Sequence, residues 1–154
     1  MSKSILVIGL VLAFSLNGKA ADAYFNGKWT GLENGQMSLT QNGEFQGTVP
    51  CHEFRFDISQ TENTFDIVDG YIWCGYAAEF SLGPAAFDLD GQTVLRYGDK
   101  VGSLINDQFI VKLGDQERYN NFEVIRNGDE IQYHHVSNDS LTLIEITGTL
   151  KRLE

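Results

Sequence analysis

Basic side chains are scarce in this chain: 11 lysines and arginines stand against 21 aspartates and glutamates, a formal net charge of −10. A surface of that sign repels phosphate backbones, so nucleic-acid binding is not expected. Histidine (three) and cysteine (two) are few. Cys51-His52 has no second ligand pair at metal-site spacing, so no metal is expected. No serine sits in a G-x-S-x-G elbow and no nucleophile is matched with a histidine, so an enzyme is not expected either. Glu53, Asp57, Asp66 and Glu79 read as a solvated strand face. Helical periodicity is also missing beyond the N-terminal segment, apart from a single turn around Pro84 to Phe87.

What is present begins with an export signal. Lys3 forms a short positive n-region, Ile5 to Leu16 is apolar apart from Gly9 and Ser15, and Ala21-Asp22-Ala23 has the A-x-A form of a cleavage site. A bilayer-spanning helix needs about 20 apolar residues, and this run is well short of that. Residues 1–23 therefore read as a signal peptide and residues 24–154 as one domain, secreted or periplasmic, with no spanning segment and no cysteine at the cleavage point to carry lipid. Cys51 and Cys74, an even count in an exported domain, predict one disulfide. Asn138-Asp139-Ser140 matches the glycosylation sequon, meaningful in a eukaryotic secretory pathway.

Gly-containing turn pairs recur along the remainder: Asn34-Gly35, Asn42-Gly43, Asp69-Gly70, Asp90-Gly91 and Asn127-Gly128, with Gly98-Asp99, Gly114-Asp115 and Asn138-Asp139 as weaker signals. Between them the hydrophobic period is two. Phe54, Phe56 and Ile58 alternate with Arg55, Asp57 and Ser59; Phe122 and Val124 flank Glu123; Ile131 and Tyr133 alternate with Gln132 and His134. This is the pattern of an antiparallel meander of about 8 to 10 strands. Exposed sheet edges invite aggregation, so closure into a single up-and-down β-barrel is the economical all-β architecture, with a two-sheet sandwich as the alternative.

The domain opens on Tyr24-Phe25-Asn26-Gly27-Lys28-Trp29-Thr30-Gly31, and its G-x-W-x-G resembles the first signature of the lipocalin and wider calycin barrels. The resemblance implies that Trp29 closes the bottom of the barrel and that Arg152, near the end of the last strand, packs across the indole. The threonine-aspartate-tyrosine type motif of typical lipocalins is absent, and the resemblance covers about seven residues at each end. A G-x-W-x-G also opens heme-binding nitrobindin-like barrels and, more loosely, small exported protease inhibitors with one disulfide. Without the resemblance, Trp29 is simply a core aromatic.

All but one of the aromatic residues lie in the domain, and Phe54, Phe56, Phe65, Tyr71, Trp73, Phe80, Phe87, Phe109, Phe122 and Tyr133 follow one alternating phase. An eight-stranded barrel is just wide enough to be filled by side chains or to hold one small ligand. Leu104-Ile105, Phe109-Ile110-Val111 and Leu143-Ile144 are apolar on both faces, which calls for a loop, subunit or partner over the outer surface. His134 and His135 point to opposite faces. His135 is the inward one and the single candidate for a heme ligand under the nitrobindin-like resemblance; otherwise it is a core histidine and no cofactor is expected. The leading function is an exported barrel that binds a small hydrophobic ligand. Tyr71, Trp73, Tyr76 and Phe80 are expected to line its mouth beside the Gly75 to Pro84 loop. The alternative is a protein-interaction module, such as a secreted or periplasmic protease inhibitor or an envelope-associated protein.

Overall fold

The computed structural model describes residues 24–153; the signal-peptide reading of residues 1–23 lies outside the described residues. All regular structure in them is antiparallel strand. In chain order the strands are β1 (Gly27–Gln41), β2 (Glu44–Gln60), β3 (Thr64–Cys74), β4 (Ala78–Ser81), β5 (Ala85–Asp90) and β6 (Thr93–Arg96). They continue as β7 (Asp99–Ile105), β8 (Gln108–Gly114), β9 (Tyr119–Asn127), β10 (Glu130–Asn138) and β11 (Thr142–Arg152). Ten of the eleven close into a ring, because β1 pairs with both β2 and β11 while β2 also pairs with β3. The barrel is therefore as expected, with one strand more than the upper estimate. The extra strand arises because two short strands share one edge of β3: β5 pairs with its first half and β4 with its second.

No helical turn forms at Pro84 to Phe87. Ala85, Phe87 and Leu89 face inward and alternate with exposed Ala86, Asp88 and Asp90, a period of two that makes β5 a strand. Asn42-Gly43 is a hairpin turn in which both residues take positive φ, 52° and 79°, as a two-residue loop demands. Asn34-Gly35 and Asp69-Gly70, expected as turns, instead lie inside β1 and β3 beside register shifts. Their glycines serve close approach rather than chain reversal. A Cβ on Gly35 would stand 2.5 Å from Phe54 Cζ, and one on Gly70 would stand 3.1 Å from the Phe56 ring.

The interior sets aromatic clusters among aliphatic side chains. Phe65 stacks on Phe109 at 3.7 Å between centroids, and Phe87 and Phe122 meet Phe109 at 5.7 and 5.8 Å. Each such pair contributes about 0.5–1.5 kcal/mol beyond its buried area. Cys51 and Cys74, a register pair on β2 and β3, form the expected disulfide and are fully buried.

One end is closed by a small network. The Trp29 side chain is 1% exposed and its Nε1 donates to the Phe25 carbonyl at 2.8 Å, while the Phe25 N–H donates to Gln60 Oε1 at 3.0 Å. The Arg152 guanidinium lies 5.5 Å from the indole and donates to the Asn26 carbonyl. These bonds tie the N-terminal segment, β2 and the end of β11 together across the floor.

Candidate functional site

Toward the opposite end the barrel contains a cleft of about 320 Å³. Its apolar wall comes from five strands or connections: Ile67 on β3, Leu82 between β4 and β5, Phe87 on β5, Leu113 on β8 and Phe122 on β9. Arg96, Asn120, Tyr133 and His135 supply its polar groups. The strand pattern dictates this convergence. Residues 131, 133 and 135 share the inward face of β10, and register places His135 directly opposite Phe122 and Tyr133 opposite Val124. The connection from Ser81 to Ala85 forms the lip.

Two buried polar atoms here lack partners. Tyr133 Oη and His135 Nδ1 are sealed from solvent and make no hydrogen bond. Burial pushes the Tyr133 phenol well above its ordinary range, so it is a neutral hydroxyl at every physiological pH. Burial, assisted by the neighbouring His134, pulls the His135 imidazole below its usual value, so the ring is neutral near pH 7. His135 Nε2 lies 3.4 Å from Asn120 Oδ1. With Nε2–H donating to that oxygen, Nδ1 becomes a bare acceptor beside a phenol whose proton has nowhere to go.

The residues expected at the mouth are elsewhere. Tyr71 and Trp73 lie on the outer face of β3: the Arg55 guanidinium is 4.8 Å from the Tyr71 ring, and Trp73 packs 4.9 Å from His52. The cause is one extra residue. Val68 bulges between the pairs Asp57–Asp69 and Ile58–Ile67, and it shifts the inward phase from Phe65 and Ile67 to Gly70, Ile72 and Cys74. Tyr76 is fully exposed in the turn before β4, and Phe80 is partly buried against the core. None of the four lines the cleft, although the end of the Gly75 to Pro84 stretch, from Ser81 onward, belongs to its lip. Phe87, Phe122 and Tyr133 were legible as interior aromatics. Arg96 and Asn120 were not singled out; the available signal was that Arg96 shares the phase of buried Val94 on β6.

Set against a heme, the residues present do not fit. Axial ligation needs an imidazole nitrogen open to a space as wide as the macrocycle, but Nδ1 is sealed and Nε2 faces Asn120. On the outer wall, a second concavity of about 290 Å³ runs over β9, β10 and β11. His134 Nε2 pairs there with Glu145 at 2.8 Å on the neighbouring strand, a half-exposed contact. Among the described residues no group of three or more histidine, cysteine or acidic side chains is arranged to hold a metal ion.

These features define a small closed antiparallel barrel with an aromatic interior and a cleft near one end. No family model, curated protein or solved structure matches the chain.

Proposed function

We propose that this protein is an exported, non-catalytic β-barrel of lipocalin-like design that binds one small, largely apolar molecule in the cleft between Phe87, Phe122 and Tyr133. The observation that carries the reading is the pair of orphaned polar atoms, Tyr133 Oη and His135 Nδ1, on residues that line a largely apolar cleft. An unsatisfied buried polar group costs about 1–3 kcal/mol; both atoms are sealed in the free protein, so a ligand hydroxyl or carbonyl would offset that cost only where the cleft side chains shift to admit it. About 320 Å³ is at the small end of the roughly 300–1,000 Å³ of small-molecule sites, which favours a compact ligand over a long lipid. The buried disulfide fits an oxidising compartment and supports export.

The test separates binding from folding. Tyr133→Phe removes an orphan hydroxyl from the free protein, so it should leave stability unchanged or raise it while weakening binding of small aromatic alcohols in calorimetry. Phe122→Trp should fill the cleft and abolish that binding in a folded protein. If Tyr133→Phe destabilises the free protein by more than about 1 kcal/mol, the hydroxyl has a structural partner and the reading fails.

A second reading, a protein-interaction module, rests on the outer wall. β4 pairs with β3 on one side only, and Trp73 and Tyr76 are exposed next to it. An extended segment could add there by strand pairing. Loss of a partner in Tyr76→Ser with the cleft variants silent would favour it.

A further inference from the structure

Resting on the cleft reading above, we infer that the ligand is a small carboxylate with an apolar body, its anionic group held by Arg96 and its body lying against Phe87 and Phe122. Arg96 is half-buried at the end of β6, and its guanidinium lies 5.9 Å from the Phe87 ring and 5.4 Å from that of Tyr97. Among the described residues no acceptor is hydrogen-bonded to its N–H groups.

The other arginines for which contacts are described contrast with it. Arg55 pairs with Glu53 at 2.9 Å, Arg126 Nε donates to the Gly128 carbonyl at 2.7 Å, and Arg152 donates to the Asn26 carbonyl. None of the ion pairs among the described residues includes Arg96. Of the two half-buried arginines whose side-chain contacts are described, Arg126 is satisfied by a backbone carbonyl, whereas Arg96 lines the cleft without a hydrogen-bond acceptor among the described residues. A planar guanidinium fork matches a carboxylate in bidentate fashion, and the Phe87 ring beside it gives the pair an apolar neighbour.

One acidic competitor is Asp99. It is the cross-strand neighbour of Arg96 on β7, is exposed, and forms no ion pair with it. The remaining polar groups of the cleft carry no charge near neutral pH: His135 is held neutral by burial, and Asn120 and Tyr133 are uncharged. The cleft thus offers one positive charge and the exposed Asn120 amide at its edge, the neutral Tyr133 and His135 deeper in, and largely apolar walls between. That is the polarity of an amphipathic monoacid and does not suit a cation.

The experiment compares 4-phenylbutyrate with its alcohol, 4-phenylbutanol, by calorimetry on the mature protein at low and moderate salt. The acid should bind at least tenfold more tightly than the alcohol, with the advantage falling as salt rises. Arg96→Gln should bring the acid down to the affinity of the alcohol while leaving the alcohol unchanged, which also reports that the variant is folded. Asp99→Asn should tighten the acid alone. Equal binding of acid and alcohol to the unaltered protein, or an acid advantage that survives Arg96→Gln, would overturn the carboxylate assignment and leave the cleft reading standing. Binding of neither compound would remove both.

Discussion

Phe54 sits in a slot whose walls are the backbones of two glycines, and that slot gives a quantitative test of the packing. Gly35 on β1 and Gly148 on β11 are register partners, and the fully buried Phe54 ring lies against both and edge-on to Tyr133 at 6.3 Å. A methyl at Gly148 would stand 2.5 Å from Phe54 Cζ and 2.8 Å from Cε1 and Cε2. Overpacking of this kind costs about 1–3 kcal/mol. Replacing a strand glycine returns about 0.5–1 kcal/mol of chain entropy, so Gly148→Ala should cost about 1–2 kcal/mol net. For a chain of this size that corresponds to a fall in melting temperature of roughly 4–8 °C. The three nearest atoms to a methyl at Gly148 all belong to the Phe54 ring, so truncating the ring should remove the penalty. Phe54→Ala alone should cost about 3–5 kcal/mol, and adding Gly148→Ala to it should cost nothing further or restore some stability.

Gly35→Ala provides the control. Its methyl would meet Phe54 and also the Thr147 carbonyl oxygen at 2.5 Å, a backbone contact that loss of the ring cannot relieve. Its penalty should therefore persist in the Phe54→Ala background. Urea denaturation of the single and double variants gives both coupling energies. Strict additivity for Gly148→Ala with Phe54→Ala, or equal rescue at Gly35 and Gly148, would refute the arrangement.

Trp29→Ala should lose about 3–5 kcal/mol by truncating a buried aromatic, and Arg152→Ala distinctly less, both read by urea denaturation. Cys74→Ser should lower stability by about 3 kcal/mol on the loop-entropy account, with the far-ultraviolet spectrum of the sheet retained below the transition. His135 has a lowered folded pKa, so the unfolded chain takes up its proton first. Stability should be fully present above about pH 6.5 and fall as pH drops through the folded value, and His135→Gln should flatten that part of the profile. Asp115 and Asp139 are held below the usual carboxylate range by backbone N–H groups, of Arg118 and Glu117 for the first and of Thr142 and Leu141 for the second. Their contribution is present above the ordinary carboxylate pKa and is lost as pH falls through the lowered values, so Asn replacements should blunt the acid limb.

Alternation made the strands legible wherever the register runs unbroken. Phe54, Phe56 and Ile58 on β2, and Ile131, Tyr133 and His135 on β10, point inward as their spacing predicts. What period-two reasoning cannot see is an inserted residue. Val68 reverses the phase within β3, and with it the faces of Tyr71 and Trp73. Glycine was read as a turn signal at Gly35 and Gly70 because both follow Asn or Asp, yet the demand there comes from aromatic rings distant in sequence, Phe54 and Phe56. Arg96 escaped for a related reason. A lone arginine on a short strand looks like surface until the neighbouring strands bring Phe87 and the cleft to it.

The order of the strands has a consequence for how the chain reaches this state. Around the ring, all neighbours but one follow one another along the chain, counting β3 and β5, between which β4 is set aside; the exception is the seam that joins β1 to β11. Hairpins along the meander can form as local events within microseconds. The seam must bring Trp29 beside Arg152 across nearly the whole domain, and such non-local pairing is what slows β-rich folding. Until β11 is available, β1 and β10 each present an unsatisfied edge, the species most open to intermolecular pairing. A chain truncated before Thr142 would be arrested in that open form, and its failure would appear as aggregation rather than as a smaller folded barrel.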